Sequence, residues 1–231
     1  MSTQLTWLGH AAFRLDTPLG VRIYVDPWLT GNPSCPEGEQ EAERCDLILL
    51  THGHSDHVGD TVGLHGRFGC PVIAQVELRG WLGGKGVEMN MAHAPNKGGT
   101  VYLDGMEVSL TTANHSSSSD EGQYLGEPCG LVVALAGGPT IYFAGDTDAF
   151  GDMALIRRIY APTVAVLPIG DHFTMGPHEA AVALELLGVP RCIPCHYGTF
   201  GLLTGTPERL RELAPADVEI LAPAAGETIE L

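Results

Sequence analysis

Positive charge is scarce in this sequence: 12 Lys and Arg stand against 28 Asp and Glu in 231 residues, a formal net charge of −16. A surface this negative repels phosphate backbones and anionic lipid, so nucleic acid is a disfavoured partner. No apolar run approaches the roughly 18 residues that a spanning helix needs, and Met1-Ser2-Thr3-Gln4 shows no basic stretch followed by an apolar one. The expectation is a soluble, cytoplasmic protein with no membrane role. Cysteine is not arranged for stapling. Cys35, Cys45, Cys70, Cys129, Cys192 and Cys195 are scattered through a chain long enough to bury a core without disulfides, which favours reduced thiols, several of them buried. Cys192-Ile193-Pro194-Cys195 followed by His196 spells a haem-attachment or redox string. Haem attachment requires export and redox chemistry requires a helix start, whereas this pair lies in an apolar run.

With 44% hydrophobic residues there is material for a substantial core, and the length fits one domain over residues 1–231. Short apolar runs at Leu5 to Leu8, Ala12 to Leu15 and Val21 to Val25 have strand character. Leu47-Ile48-Leu49-Leu50 lacks alternation, as suits a central strand buried on both faces. Thr100 to Thr112 turns at Asp104-Gly105 and Leu131 to Phe143 turns at Gly137-Gly138, which predicts two hairpins. Helical signals fall at Asp60 to Arg67, Val76 to Leu82, Asp152 to Tyr160, Pro177 to Leu187 and Pro207 to Leu213, with Thr206 a cap and Gly188 a stop. Strands alternating with helices, with hairpins mixed in, indicate a layered α/β domain with mixed sheets. Hairpins and crossovers in both halves suggest two related sheet-plus-helix units.

The densest chemical signal is His52-Gly53-His54-Ser55-Asp56-His57, directly after the Leu47 to Leu50 run. One histidine alone reads best as a core residue. Three imidazoles and a carboxylate within six positions cannot all be buried without losing hydration, unless a cation takes their lone pairs. In an extended or loop segment His52 and His54 point the same way while Asp56 and His57 turn toward a neighbouring point, which implies two adjacent cations. Imidazole with carboxylate suits Zn²⁺, with Mn²⁺ or Fe²⁺ as alternatives. One loop supplies too few ligands for two ions. His115, Asp146 and His196 each come just past an apolar strand, where open α/β sheets place their sites.

With this order of motifs the chain resembles the metallo-β-lactamase superfamily, and in particular the UPF0173 metal-dependent hydrolases, near the ascorbate-phosphate lactonase branch. The strings that carry the resemblance include Leu8-Gly9-His10-Ala11-Ala12-Phe13, Asp26-Pro27, Thr51 to Gly59, Ala144 to Thr147, Leu167 to Asp171, Phe173 to Pro177, His196-Tyr197 and Gly226 to Leu231. The resemblance implies a four-layer αβ/βα sandwich of two mixed sheets flanked by helices. It implies that His52, His54 and His115 hold one ion, that Asp56, His57 and His196 hold a second, and that Asp146 bridges them. A water shared by two such ions is acidified toward a pKa of about 7, and its hydroxide would attack a small ester, lactone, thioester or phosphoester. Asp56, Asp146 and His178 are the candidate catalytic residues. The chain departs from the family pattern in an extra segment, Met91 to Lys97, in His172 and His178 where Asn and an acid are usual, and at Gly198 and Gly201. These departures touch substrate contacts and leave the metal set intact.

His10, His172 and His178 remain as candidates to touch substrate, support a ligand or protonate a leaving group. His65 reads as helix surface and His93 as loop. Ser116 to Ser119 lacks a nucleophile elbow and reads as a polar turn. Phe173 and Met175 read as packing. Two other functions stand beside the small-molecule hydrolase: a metal-dependent nuclease or phosphodiesterase, which lacks any Lys/Arg run to grip RNA, and a metal-binding scaffold or sensor without turnover. The sequence leaves a homo-oligomer open.

Overall fold

The computed structural model describes residues 2–231; Met1, the first residue of the N-terminal stretch read above, lies outside them. The first half of the chain forms β1 (Gln4–Trp7), β2 (Phe13–Asp16), β3 (Arg22–Val25), β4 (Leu47–Leu49), α1 (Ser55–Val58), α2 (Thr61–Phe68), β5 (Val72–Ile73) and α3 (Val76–Gly83). The second half forms β6 (Thr100–Leu103), β7 (Met106–Thr112), β8 (Cys129–Leu135), β9 (Thr140–Phe143), α4 (Met153–Tyr160), β10 (Val164–Pro168), α5 (Pro177–Leu187), β11 (Arg191–Cys195), α6 (Pro207–Leu213), β12 (Glu219–Ile220) and β13 (Thr228–Glu230). One sheet has the order β13-β1-β2-β3-β4-β5 and the other β12-β11-β10-β9-β8-β7-β6.

The alternation of side chains across each strand builds four layers. Ile23, Val25, Leu47 and Leu49 face the second sheet, where they meet Leu131, Val133, Ile141, Phe143 and Val166. Their neighbours Tyr24, Ile48 and Leu50 point outward under α2 and α3, packing with Leu64, Leu78 and Leu82. On the other side Tyr142, Ala165 and Leu167 face outward under α4, α5 and α6, against Ile156, Leu184 and Leu210. The Leu47 to Leu50 run lacks alternation because both of its faces are covered. The architecture is the metallo-β-lactamase αβ/βα sandwich expected from sequence. Among the described residues no helix is long and apolar enough to cross a membrane.

The suggested relation between halves is explicit in the topology. The β1-β2-β3-β4-β5 steps run antiparallel, antiparallel, parallel, parallel. The β7-β8-β9-β10-β11 steps repeat that order. His10 and His115 therefore follow equivalent strands, and so do Asp26 and Asp146.

Local chemistry sets the helix ends. The Thr206 side chain accepts from the Arg209 backbone N–H and caps α6, while Gly188, at φ +57°, stops α5. Cys192 and Cys195 are buried on β11, and the six cysteines are free and buried. His65 corrects the sequence expectation: its Nδ1 donates to the Cys70 carbonyl at 2.8 Å and its Nε2 accepts from the Glu88 N–H at 3.0 Å, so it ties α2 to its neighbours. His93 likewise sits in a short 3₁₀ turn, Met91–His93, rather than in irregular loop.

Candidate metal centre

The strand ends gather at one edge of the sandwich, and the seven predicted ligand residues meet there together with His10. The segment after β4 is not extended throughout. His54 stands at the N-cap position of α1 with φ −68° and ψ 149°, and Asp56 and His57 ride the helical turn itself, which brings Asp56 to His10 at 2.9 Å while the His57 ring stays 4.1 Å from that of His52. Asp146 enters behind Gly145, whose φ is +64° and where an added Cβ would lie 2.9 Å from the Cys129 carbonyl oxygen and from Thr51 Cβ. His10, Asp26 and His196 also hold left-handed backbone, at φ +54°, +46° and +54°. Conformations of this kind cost on the order of 1–3 kcal/mol each and concentrate where function over-determines the chain.

Three overlapping groups of ligand atoms result, each with its atoms within 4.8 Å of one another: His52, His54 and His115; His10, Asp56, His57 and His196; and His52, His57 and Asp146. Asp146 Oδ2 lies 3.1 Å from His196 Nε2, 3.3 Å from His57 Nε2 and 3.6 Å from His115 Nε2. His57 Nε2 and Asp146 Oδ1 are buried with no hydrogen-bond partner. Buried polar atoms in native proteins are almost always satisfied, so imidazoles and carboxylates left in this state fit a divalent cation.

A second layer of contacts fixes these side chains. Asp26, 2% exposed, accepts from the Thr51 N–H at 2.9 Å and the Thr51 hydroxyl at 2.6 Å, and from His57 Nδ1–H at 2.8 Å. That leaves His57 Nε2 aimed at Asp146. His10 Nε2–H donates to Asp56 Oδ2 at 2.9 Å, its Nδ1 accepts from the Thr199 hydroxyl at 2.9 Å, and its ring lies 3.9 Å from that of His196. Asp26-Pro27 and Thr51 stand in strings that carry the family resemblance, but the sequence gives neither residue a role in holding a ligand.

Burial pushes His52, His54 and His115 below the ordinary imidazole range, and it brings His10 down to about 4 against the opposing bond to Asp56. Burial acts on His57 in the same sense, but the charges of Asp146, Asp26 and Asp56 outweigh it and hold His57 well above 6.5. For Asp56 and Asp146 burial alone would raise the carboxyl. The charge of His57 outweighs it, aided at Asp56 by the bond from His10 and at Asp146 by the charge of His196, and both stay ionised. Neutral imidazoles at His52, His54 and His115 and ionised carboxylates at Asp56 and Asp146 are the protonation states that ligate cations, and His57 would give up its Nε2 proton when a cation binds.

These shifts give stability a definite pH dependence. His10, His52, His54 and His115 bind protons less readily folded than unfolded, so the unfolded chain takes up more protons below pH 6.5. His57 is already protonated across that window and adds no slope. The cation-free protein is therefore expected to lose stability as the pH falls from 6.5 to 4, with His10 alone contributing about 3 kcal/mol of the loss. Urea midpoints of EDTA-treated protein at pH 7, 5.5 and 4.5 check this; midpoints that do not move contradict it.

A cavity of about 350 Å³ opens over the cluster, lined by His54, Asp56, His115, Ser116, Asp146, Phe173, His196 and Phe200. Phe173 corrects the packing expectation: it is 49% exposed at the cavity mouth, whereas Met175 is buried as expected. His178 is not brought in. It sits in the first turn of α5 with its side chain 77% exposed beside Glu179, away from the cavity lining. His172 is exposed against Phe173 and also stays off the cavity lining. Both side chains are exposed, and their spacing in the sequence does not reveal it.

A sandwich of this topology with a His and Asp cluster at its strand ends defines a class, and residues 21–197 match the family described as Beta-lactamase superfamily domain. A relative from Herpetosiphon aurantiacus, described as a UPF0173 metal-dependent hydrolase, is 50% identical over 214 residues, spanning 91% of this chain and 89% of its own. A second, from Koribacter versatilis and described likewise, is 45% identical over 229 residues, 97% of each chain. Among solved structures, Igni18, described as a novel metallo hydrolase from the hyperthermophilic archaeon Ignicoccus hospitalis, has a TM-score of 0.89 at 33% identity, covering 100% of this chain and 99% of its own. The chain belongs to the UPF0173 metal-dependent hydrolases of the beta-lactamase superfamily, and it is an enzyme of that kind.

Proposed function

We propose that His52, His54 and His115 hold one divalent cation and Asp56, His57 and His196 a second, with Asp146 between them, and that the enzyme hydrolyses a small ester, lactone, thioester or phosphoester. The observation that carries this reading is the convergence of imidazole and carboxylate donors from separate strand ends around His57 Nε2 and Asp146 Oδ1, buried atoms that make no hydrogen bond within the protein. The nitrogen and oxygen donors favour Zn²⁺, with Mn²⁺ and Fe²⁺ as alternatives. Cations bound there would supply an acidified water as nucleophile and an electrophile for the acyl or phosphoryl oxygen. Asp26 holds the His57 proton on Nδ1 and leaves Nε2 free to ligate, while His10 fixes the orientation of the Asp56 carboxylate. His178 has no part in this arrangement.

The test is EDTA-stripped protein reconstituted separately with Zn²⁺, Mn²⁺ and Fe²⁺, with metal content measured and a panel of esters, thioesters, lactones and phosphoesters assayed. Two ions per chain and hydrolysis that returns with metal are expected. Full activity in verified metal-free protein overturns the reading. Two ions without turnover across the panel favour the scaffold, and preferential cleavage of RNA or phosphodiesters favours the nuclease.

A further inference from the structure

The chain has six phenylalanines, and their exposure separates them. Phe13 and Phe143 are buried in the sandwich and Phe68 and Phe150 are partly covered, while Phe173 and Phe200 are 49% and 39% exposed. Those two also line the cavity over the cluster. They arrive from different loops, Phe173 after β10 and Phe200 after β11. Phe200 is held in place by the ring of His10 at 5.4 Å and that of Trp28 at 6.0 Å, so it is a braced aromatic wall rather than a free side chain.

Charge points the same way. None of the 12 Lys and Arg is among the residues described as lining the cavity, whereas Asp56 and Asp146 are. A substrate carrying phosphate or carboxylate away from its reacting bond would lay that charge against aromatic rings, with no Lys or Arg beside the cluster to pair with it. An apolar substituent would instead shed its hydration onto Phe173 and Phe200. At about 350 Å³ the cavity is near the small end of ligand sites, which run from roughly 300 to 1,000 Å³.

We propose, resting on the hydrolytic reading above, that the substrate is an uncharged carboxylic ester, thioester or lactone whose remote substituent is an aryl or branched alkyl group seated between Phe173 and Phe200, and that these two residues set specificity. The oxygen of water bonds to the acyl carbon, the acyl C–O or C–S bond breaks, and one proton of the water passes to the departing alcohol or thiol. No oxidant or reductant takes part.

Two measurements on Zn²⁺-loaded protein test this. In turnover of p-nitrophenyl esters, phenylacetyl is expected to exceed acetyl by about tenfold or more in kcat/KM, with phosphonoacetyl below both. In calorimetry, phenylacetohydroxamate is expected to bind about tenfold tighter than acetohydroxamate, which shares its metal-binding head. In Phe173→Ala and Phe200→Ala both ratios fall toward one. Equal hydroxamate affinities, ratios unchanged in both variants, or a preference for the phosphonoacetyl ester overturn the inference even where esters are cleaved. A hydroxamate preference without turnover of any ester instead overturns the hydrolytic reading and leaves the pocket assignment standing.

Discussion

Asp146→Asn is expected to lower bound metal from two ions per chain to one or none and to reduce kcat/KM by roughly a thousandfold or more, about 4 kcal/mol of barrier. Its carboxylate is 3% exposed and stands within 3.6 Å of ring nitrogens of His57, His115 and His196, so it is the one negative group shared by both sets of donors. Asparagine keeps the size but removes that charge, and its amide N–H would face the atoms that ought to bind cations. Metal analysis after dialysis, together with ester turnover, reads the outcome. Near-normal activity with both ions retained would remove Asp146 from the mechanism.

Asp26→Asn is the second large effect, and it acts at one remove from the cations. The two carboxylate oxygens divide their work: Oδ1 accepts from the Thr51 N–H, and Oδ2 accepts from both the Thr51 hydroxyl and His57 Nδ1–H. An asparagine that keeps its oxygen toward the Thr51 N–H must present its NH₂ to His57. The imidazole then has to accept at Nδ1 and carry its proton on Nε2, the atom that faces Asp146. Metal affinity is expected to fall by about 10- to 100-fold. Asp26→Ala adds a stability loss of about 3–5 kcal/mol, because three buried donors lose their acceptor. Competition with a chromogenic chelator and urea denaturation separate the two effects. A variant Asp26→Asn with unchanged affinity would show that tautomer control at His57 does not matter.

Much of the fold was legible because its signals are local. The Leu47 to Leu50 run, the Asp104-Gly105 turn, and Pro177 with Gly188 at the ends of α5 each carry their own geometry over a few residues. β13 carried no comparable pattern. It exists because it pairs with β1 across nearly the whole chain, with the Thr6 and Thr228 hydroxyls 2.7 Å apart. Among site residues the His52 to His57 cluster was legible because four functional groups in six positions have no inexpensive apolar reading. Asp26-Pro27 stood out only as a string of the resemblance; its hold on His57 was not legible, since that bond joins residues 31 positions apart. Phe173 was misread for a related reason: a phenylalanine in a loop has the same local appearance whether it packs inward or walls a cavity.

Composition and short-range pattern by themselves determined a layered α/β chain with a dense His and Asp cluster, and the order of its motifs carried the resemblance to a hydrolase family, because strand periodicity, capping and motif spacing are properties of neighbouring residues. Only the tertiary structure decided that Asp26 bonds His57, that His10 bonds Asp56, that His178 stands outside, and that Phe173 and Phe200 line one cavity. Those are distances between side chains dozens to hundreds of positions apart, and they are set by how two twisted sheets bring their strand ends to one edge.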